Sequence, residues 1–287
     1  MRLIAAELLS LRKRAATYVV LAVLLVLMAL VYLIAALSGE GGPGSGPASS
    51  TFRFPAAYGV IGLFVFGLGS LLAVAYAAAV AGGDWSWGIP RVVLSRGESR
   101  VNYVLAKAAA VGIALAVGVL VAYAAGIALT YIAAAISGSS VGNPLSGESP
   151  RRLIDSLLLG FPVLAERAAI GFAVATVLRS QLAGVVVGIV LYIGESILTS
   201  VLVGLALFGG GSFEFEPFGP EWYQFLPFSI GDSVLGAATG SAGADPGFED
   251  VVLRPVPLEM AVAGVLIYLV VALGVSALLV RRAEITA

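Results

Sequence analysis

Six apolar runs in this chain are too long and too continuous for a soluble core to absorb. The first, TYVVLAVLLVLMALVYLIAAL over about 17–37, carries no charge, and roughly 20 such helical residues cross a bilayer core about 30 Å thick. Comparable runs occupy about 55–81, 103–136, 153–178, 181–208 and 258–280. They are continuous, not alternating, which argues against barrel strands. Backbone groups in lipid must be paired within the segment that carries them. The expectation is an all-α membrane protein with one transmembrane domain over 1–287 and six transmembrane helices.

Composition excludes much chemistry. Charged residues make up 11% of the chain, against about 25% in soluble domains. Cysteine and histidine are absent, so disulfides, thiolate or imidazole metal sites and Cys- or His-based catalysis are ruled out. The only lysines are Lys13 and Lys107, and no G-x-x-x-x-G-K-[ST] stretch occurs, so ATP has no Walker A site here. No catalytic residue, metal, cofactor of the chain's own or nucleic-acid partner is expected.

The distribution of basic residues sets an orientation, because positive loops stay cytoplasmic. Arg2, Arg12, Lys13 and Arg14 precede the first run, Arg91, Arg96, Arg100 and Lys107 follow the second, Arg179 divides the fourth from the fifth, and Arg281 and Arg282 follow the sixth. The opposite side carries Arg53, Arg151, Arg152 and Arg254. Both termini are therefore expected in the cytoplasm of a multi-pass cell-membrane protein, with the first run a retained signal anchor. Before it, LIAAELLSLRKR brings Leu3, Ile4, Leu8 and Leu11 near one helical face. This suits an interfacial amphipathic helix over about 2–14, its apolar side in lipid, or else a plain extension of the first span.

The loops differ in character. SGEGGPGSGPASS (38–50) and SGSSVGNPLSGESP (137–150) read as flexible connectors. The stretch 209–257 is acidic and aromatic, with Asp232 among its acids. It reads either as a cation-attracting vestibule or as an ordinary solvated face. Pro217, Pro220 and Pro227 break it into pieces too short to cross, which suits an external re-entrant region covered by protein.

GGDWSWGIPRVVLSRGESR (82–100) gathers unusual polar chemistry between the second and third runs. Pro90 suits a first helical turn, Arg91 to Arg96 can continue it, and Gly97 supplies a stop. A short cytoplasmic helix is expected, with Trp85 and Trp87 at the membrane edge and Arg91, Ser95, Arg96 and Arg100 on a basic side. The alternative is a Trp- and Arg-rich turn that merely anchors two spans at the headgroups.

In order and spacing, Asp84, Trp87, Gly88, Arg91, Leu94, Arg96, Gly97, Ser99, Arg100 and Lys107 resemble the segment between the second and third spans of ATP-binding-cassette type 2 permeases. Ile89 and Pro90 depart from that family's Thr-Leu. The start with Glu7, the Leu226-Pro227 pair and RRAEI from Arg281 also resemble family features, less specifically. The resemblance implies a permease subunit that pairs with a second copy as a homodimer. It also implies two cytoplasmic ATP-binding subunits that hold the ATP and Mg, drive alternating access and usually move substrate outward. Carried over by position, Glu7, Asp84, Trp85, Trp87, Gly88, Arg91, Ser95, Arg96, Gly97 and Arg100 are the coupling candidates, the short helix being the coupling helix.

Charges inside the spans need partners, since each costs about 2.5 to 3.5 kcal/mol at a helix centre even on the mild insertion scale. Glu166 and Arg167 lie in the fourth run and Glu195 in the fifth. At 1.5 Å per residue, Arg167 is about 18 Å from Arg179 and Glu195 about 21 Å from Gln181, so the two are at similar depth. An Arg167–Glu195 ion pair is one expectation. The other is that Glu166, Arg167 and Glu195 line a translocation path, with Glu166 meeting a cationic substrate. Gly184 and Gly188 form a small-xxx-small pair that permits close helix approach. Two other function classes remain open: an ion- or proton-coupled secondary transporter using these carboxylates, and a non-transporting membrane scaffold.

Overall fold

A computed structural model of the 287-residue chain describes residues 2–37, 53–86, 99–138, 140–208, 222–239 and 256–282. Among the described residues there is no strand. The elements are α1 (Arg2–Lys13), α2 (Ala15–Leu37), α3 (Ala57–Gly62), a π-helical stretch (Leu63–Leu68), α4 (Gly69–Ser86), α5 (Arg100–Ser137), α6 (Ser149–Leu178), α7 (Gln181–Phe208), a 3-10 turn (Trp222–Phe225), α8 (Pro227–Thr239) and α9 (Leu258–Arg282). α3, the π-helical stretch and α4 run on as one span. With α2, α5, α6, α7 and α9 it makes six helices long and apolar enough to cross a membrane. The chain is a helical, multi-pass membrane protein.

The centre of the bundle is α6, which packs against α4, α9, α8, α7, α5 and α3. About half of its most apolar stretch is buried within the chain, against 6% for α7, which places α7 on the rim. Outward apolar side chains there, such as Leu182, Val190 and Leu205, cost nothing where the solvent is hydrocarbon.

Glycines decide how closely the central helices approach. A Cβ on Gly171 of α6 would lie 2.9 Å from the Cα of Val74 and closer still to its carbonyl oxygen. Gly184 of α7 meets Ala175 of α6, with a Cβ 2.7 Å from its Cα, and Gly188 meets the Val74 side chain at 2.9 Å. Both members of the small-xxx-small pair therefore face α6 and α4. Val74 lends backbone at Gly171, so it cannot yield by a rotamer change. Gly171→Ala is expected to destabilise the α4–α6 contact by about 1–3 kcal/mol, read as a lower unfolding midpoint in detergent. Gly112→Ala, where a Cβ meets nothing within 4 Å, should leave that midpoint unchanged.

α1 packs along α5, with Leu11 buried and Leu8 against the same core, while Leu9 stays exposed. The reason is an elbow at Arg14, the one non-helical residue between α1 and α2. There Thr17 Oγ1 donates to Leu11 O at 2.9 Å and folds α1 back on the bundle. One expectation needs correction: the described residues 140–148 are not a free connector. Val141 O accepts from Phe54 N at 2.9 Å, Pro144 O accepts from Tyr58 Oη at 3.0 Å, and Gly142 and Gly147 take positive φ to make the turns.

Candidate functional site

Two buried charge clusters stand out, one near the helix ends that flank residues 87–98 and one at the middle of α6.

The first is built around Asp84, in the last turn of α4. A carboxylate at a helix C-terminus opposes the helix dipole, and Asp84 is only 2% exposed, so it needs cations. Lys107 of α5 supplies one, donating to Asp84 Oδ2 and, at 3.2 Å, to Glu7 Oε2 of α1. Arg14, free of helical geometry at the elbow, supplies the other, with Nη2 2.9 Å from Asp84 Oδ1 and Nη1 3.5 Å from Val80 O. Tyr103, one turn before Lys107, donates its hydroxyl to Asp84 Oδ2. Two cations thus balance two carboxylates, and α1, α4 and α5 are joined by charge-assisted bonds in a poorly solvated place.

Neighbouring contacts extend this joint. Thr17 lies 3.1 Å from the Tyr76 hydroxyl, linking α2 to α4. Arg179 takes a left-handed backbone (φ 51) to turn the α6–α7 corner and holds its guanidinium 5.3 Å from the Trp85 ring. Arg100 donates to Arg281 O at 3.1 Å, tying the start of α5 to the end of α9. Beside the elbow, Leu8, Leu11, Leu24, Val65, Leu72 and Val119 line an apolar cavity of about 300 Å³.

Of the coupling candidates, Glu7, Asp84, Trp85 and Arg100 are thus brought to one end of the bundle. Trp87, Gly88, Arg91, Ser95, Arg96 and Gly97, with the short helix expected there, lie outside the described residues.

The second cluster is centred on Arg167, fully buried on α6. Its Nη2 donates to Asp232 Oδ1 and, at 3.1 Å, to Phe228 O, both on α8. Its Nη1 lies 3.4 Å from Phe66 O, in the π-helical stretch, and 3.4 Å from the Tyr192 hydroxyl of α7. π-Helical geometry shifts the ladder and gives side chains access to carbonyls that an α-helix would occupy. α8 comes this close because Gly231 has no side chain: a Cβ there would sit 3.2 Å from Arg167 Nη2.

Arg167 and Glu195 do not pair with each other. Glu195 Oε1 instead accepts from Phe228 N at 2.7 Å, Ser229 N at 2.8 Å and Ser229 Oγ at 3.1 Å. Those amides are the orphan donors of the first turn of α8, whose first residue, Pro227, has none to offer. The similar depth of the two charges is real in the sense that both reach α8. They meet opposite needs of that helix, a carbonyl and a carboxylate on one side and its N-terminal amides on the other.

Glu166, beside Arg167, is different: it is fully buried and neither carboxylate oxygen has a hydrogen-bond partner. Among the described residues, no set of acids is grouped to hold a metal ion.

Five members of these clusters are not among the residues the sequence singles out as site candidates: Arg14, Tyr103 and Lys107 in the first, Asp232 and Tyr192 in the second. Lys107 carries a signal as one of two lysines, set inside an apolar run, whereas Tyr192 carries none. A scan against protein-family models and a search of curated proteins both return no match to this chain.

Proposed function

We propose that the chain is the membrane-spanning permease subunit of an ATP-binding-cassette transporter, an exporter working by alternating access. ATP and Mg are held by a separate cytoplasmic subunit, two copies per complex, and two permease chains pair as a homodimer in the cell membrane with their termini cytoplasmic. The observation that carries this reading is the Lys107–Asp84–Glu7–Arg14 cluster. It binds α1 to both flanks of the segment 87–98, and these are the elements through which the resemblance assigns contact with the motor.

In this reading a motor pressing on 87–98 moves Asp84 and Lys107 together. Because their charges are interlocked and poorly hydrated, the displacement passes to α1, α4 and α5 as a unit. α4 is the helix most closely packed on α6, so the push reaches the centre of the bundle. α8 then serves as an external re-entrant helix whose tip is held at mid-span by Glu195 and Arg167.

The test is a charge reversal. Arg91→Glu with Arg96→Glu is expected to leave membrane insertion intact and to reduce co-purification of the ATP-binding subunit at least tenfold. Undiminished complex formation and undiminished stimulated ATP hydrolysis in that variant would sink the reading.

A further inference from the structure

Three carboxylates and one guanidinium meet around the middle of α6, and they are not equally served. Glu195 accepts three hydrogen bonds from the first turn of α8. Asp232 takes the charge of Arg167 and keeps a side chain that is 64% exposed. Arg167 spends its terminal nitrogens on Asp232, Phe228 O, Phe66 O and Tyr192. Glu166 receives nothing, although Arg167, Glu195 and Asp232 are all near enough to act on its charge.

An ionised carboxylate in this position would be buried without a hydrogen-bond donor, beside a guanidinium whose terminal nitrogens are committed to other groups, a state costing far more than any single contact returns. The site therefore calls for a cation at Glu166, and its dimensions restrict which one. The side chain has no accessible surface, 0% exposed, so neither a water-sized ion nor an ammonium group reaches the oxygens.

We propose that Glu166 is a proton-binding site in the membrane interior. It holds one proton as a neutral carboxylic acid. The charged and titratable groups near enough to act on it are Arg167 on α6, Glu195 on α7, Asp232 on α8 and Tyr268 on α9. Tyrosines on the remaining neighbours are engaged elsewhere: Tyr58 on Pro144 O, Tyr76 on Thr17 and Tyr123 on Ser156. Arg167 and Glu195 are thereby positioning residues for α8, and Glu166 is the group left over for chemistry. The inference stands apart from the motor reading, because proton occupancy needs no partner subunit.

Infrared spectroscopy of the full chain in lipid vesicles reads the site directly. At neutral pH the wild type is expected to show the carbonyl stretch of a protonated carboxylic acid, resistant to exchange in deuterated buffer. Glu166→Gln should abolish that band, and Glu195→Gln should keep it. If Glu166→Gln does not insert, Glu166→Asp carries the test, with the band displaced in frequency. A wild-type spectrum at neutral pH without the band, or a band unchanged by the Glu166 substitutions, overturns the proposal.

Discussion

Lys107→Met is expected to destabilise the chain by about 3–5 kcal/mol, the usual consequence of stripping one partner from a buried ion pair. Methionine fills the space of the lysine stem, so the loss is electrostatic, not a cavity. Asp84, 2% exposed, would keep Arg14 and Tyr103 but lose its closest cation, while Glu7 could turn toward solvent. The measurement is the unfolding midpoint in detergent together with the amount of chain recovered from membranes. Adding Asp84→Asn to Lys107→Met removes the stranded charge and should recover a large part of the loss. A double variant as unstable as the sum of the two single ones would show that the residues are not coupled.

Arg167→Leu should have an effect of similar size, about 3–5 kcal/mol, and a more local signature. It deprives Asp232, Phe228 O, Phe66 O and Tyr192 of one shared donor, so the seat of α8 is lost while the spans can remain inserted. The absence of native cysteine makes this directly readable. Val234→Cys, buried on α8 at 1% exposure, is expected to resist a water-soluble maleimide in the wild-type background and to react in the Arg167→Leu background. Arg167→Lys keeps the charge but not the fork of donors, and should give intermediate labelling. Equal protection of residue 234 in all three backgrounds would mean that Arg167 does not hold α8.

The six spanning helices could be read from the sequence because their signal is local: a run such as 17–37 needs only its own composition to declare a helix in lipid. What lay beyond the sequence was which faces meet. α7 is as apolar as its neighbours, yet it sits on the rim, touching α6 and α4 along the one face that carries Gly184 and Gly188 and leaving the rest outward. The depth of Arg167 and Glu195 followed from helical rise alone, but the pairing did not. It depended on α8, a 13-residue helix that the sequence marks only as part of a re-entrant region and whose entry between α6, α7 and α9 is a tertiary event. The amphipathic face of α1 was likewise visible, whereas the elbow at Arg14 that turns this face onto α5 came from one threonine-to-carbonyl bond. Glu166 carried its signal in plain view, as a charge in an apolar run. Only the placement of its neighbours shows that it alone has no partner in the cluster.

If, as proposed, a separate ATP-binding subunit drives this chain through residues 82–100, that subunit touches the segment directly. Because the wild-type chain has no cysteine, Ser95→Cys introduces a single thiol into that segment, to which a short photoactivatable cross-linker can be attached in native membranes. One adduct is expected, between the chain and a second polypeptide that a photoreactive ATP analogue also labels. That adduct should disappear when Arg91→Glu and Arg96→Glu are added. An inserted, stable Ser95→Cys chain that gives no nucleotide-labelled adduct would contradict that contact.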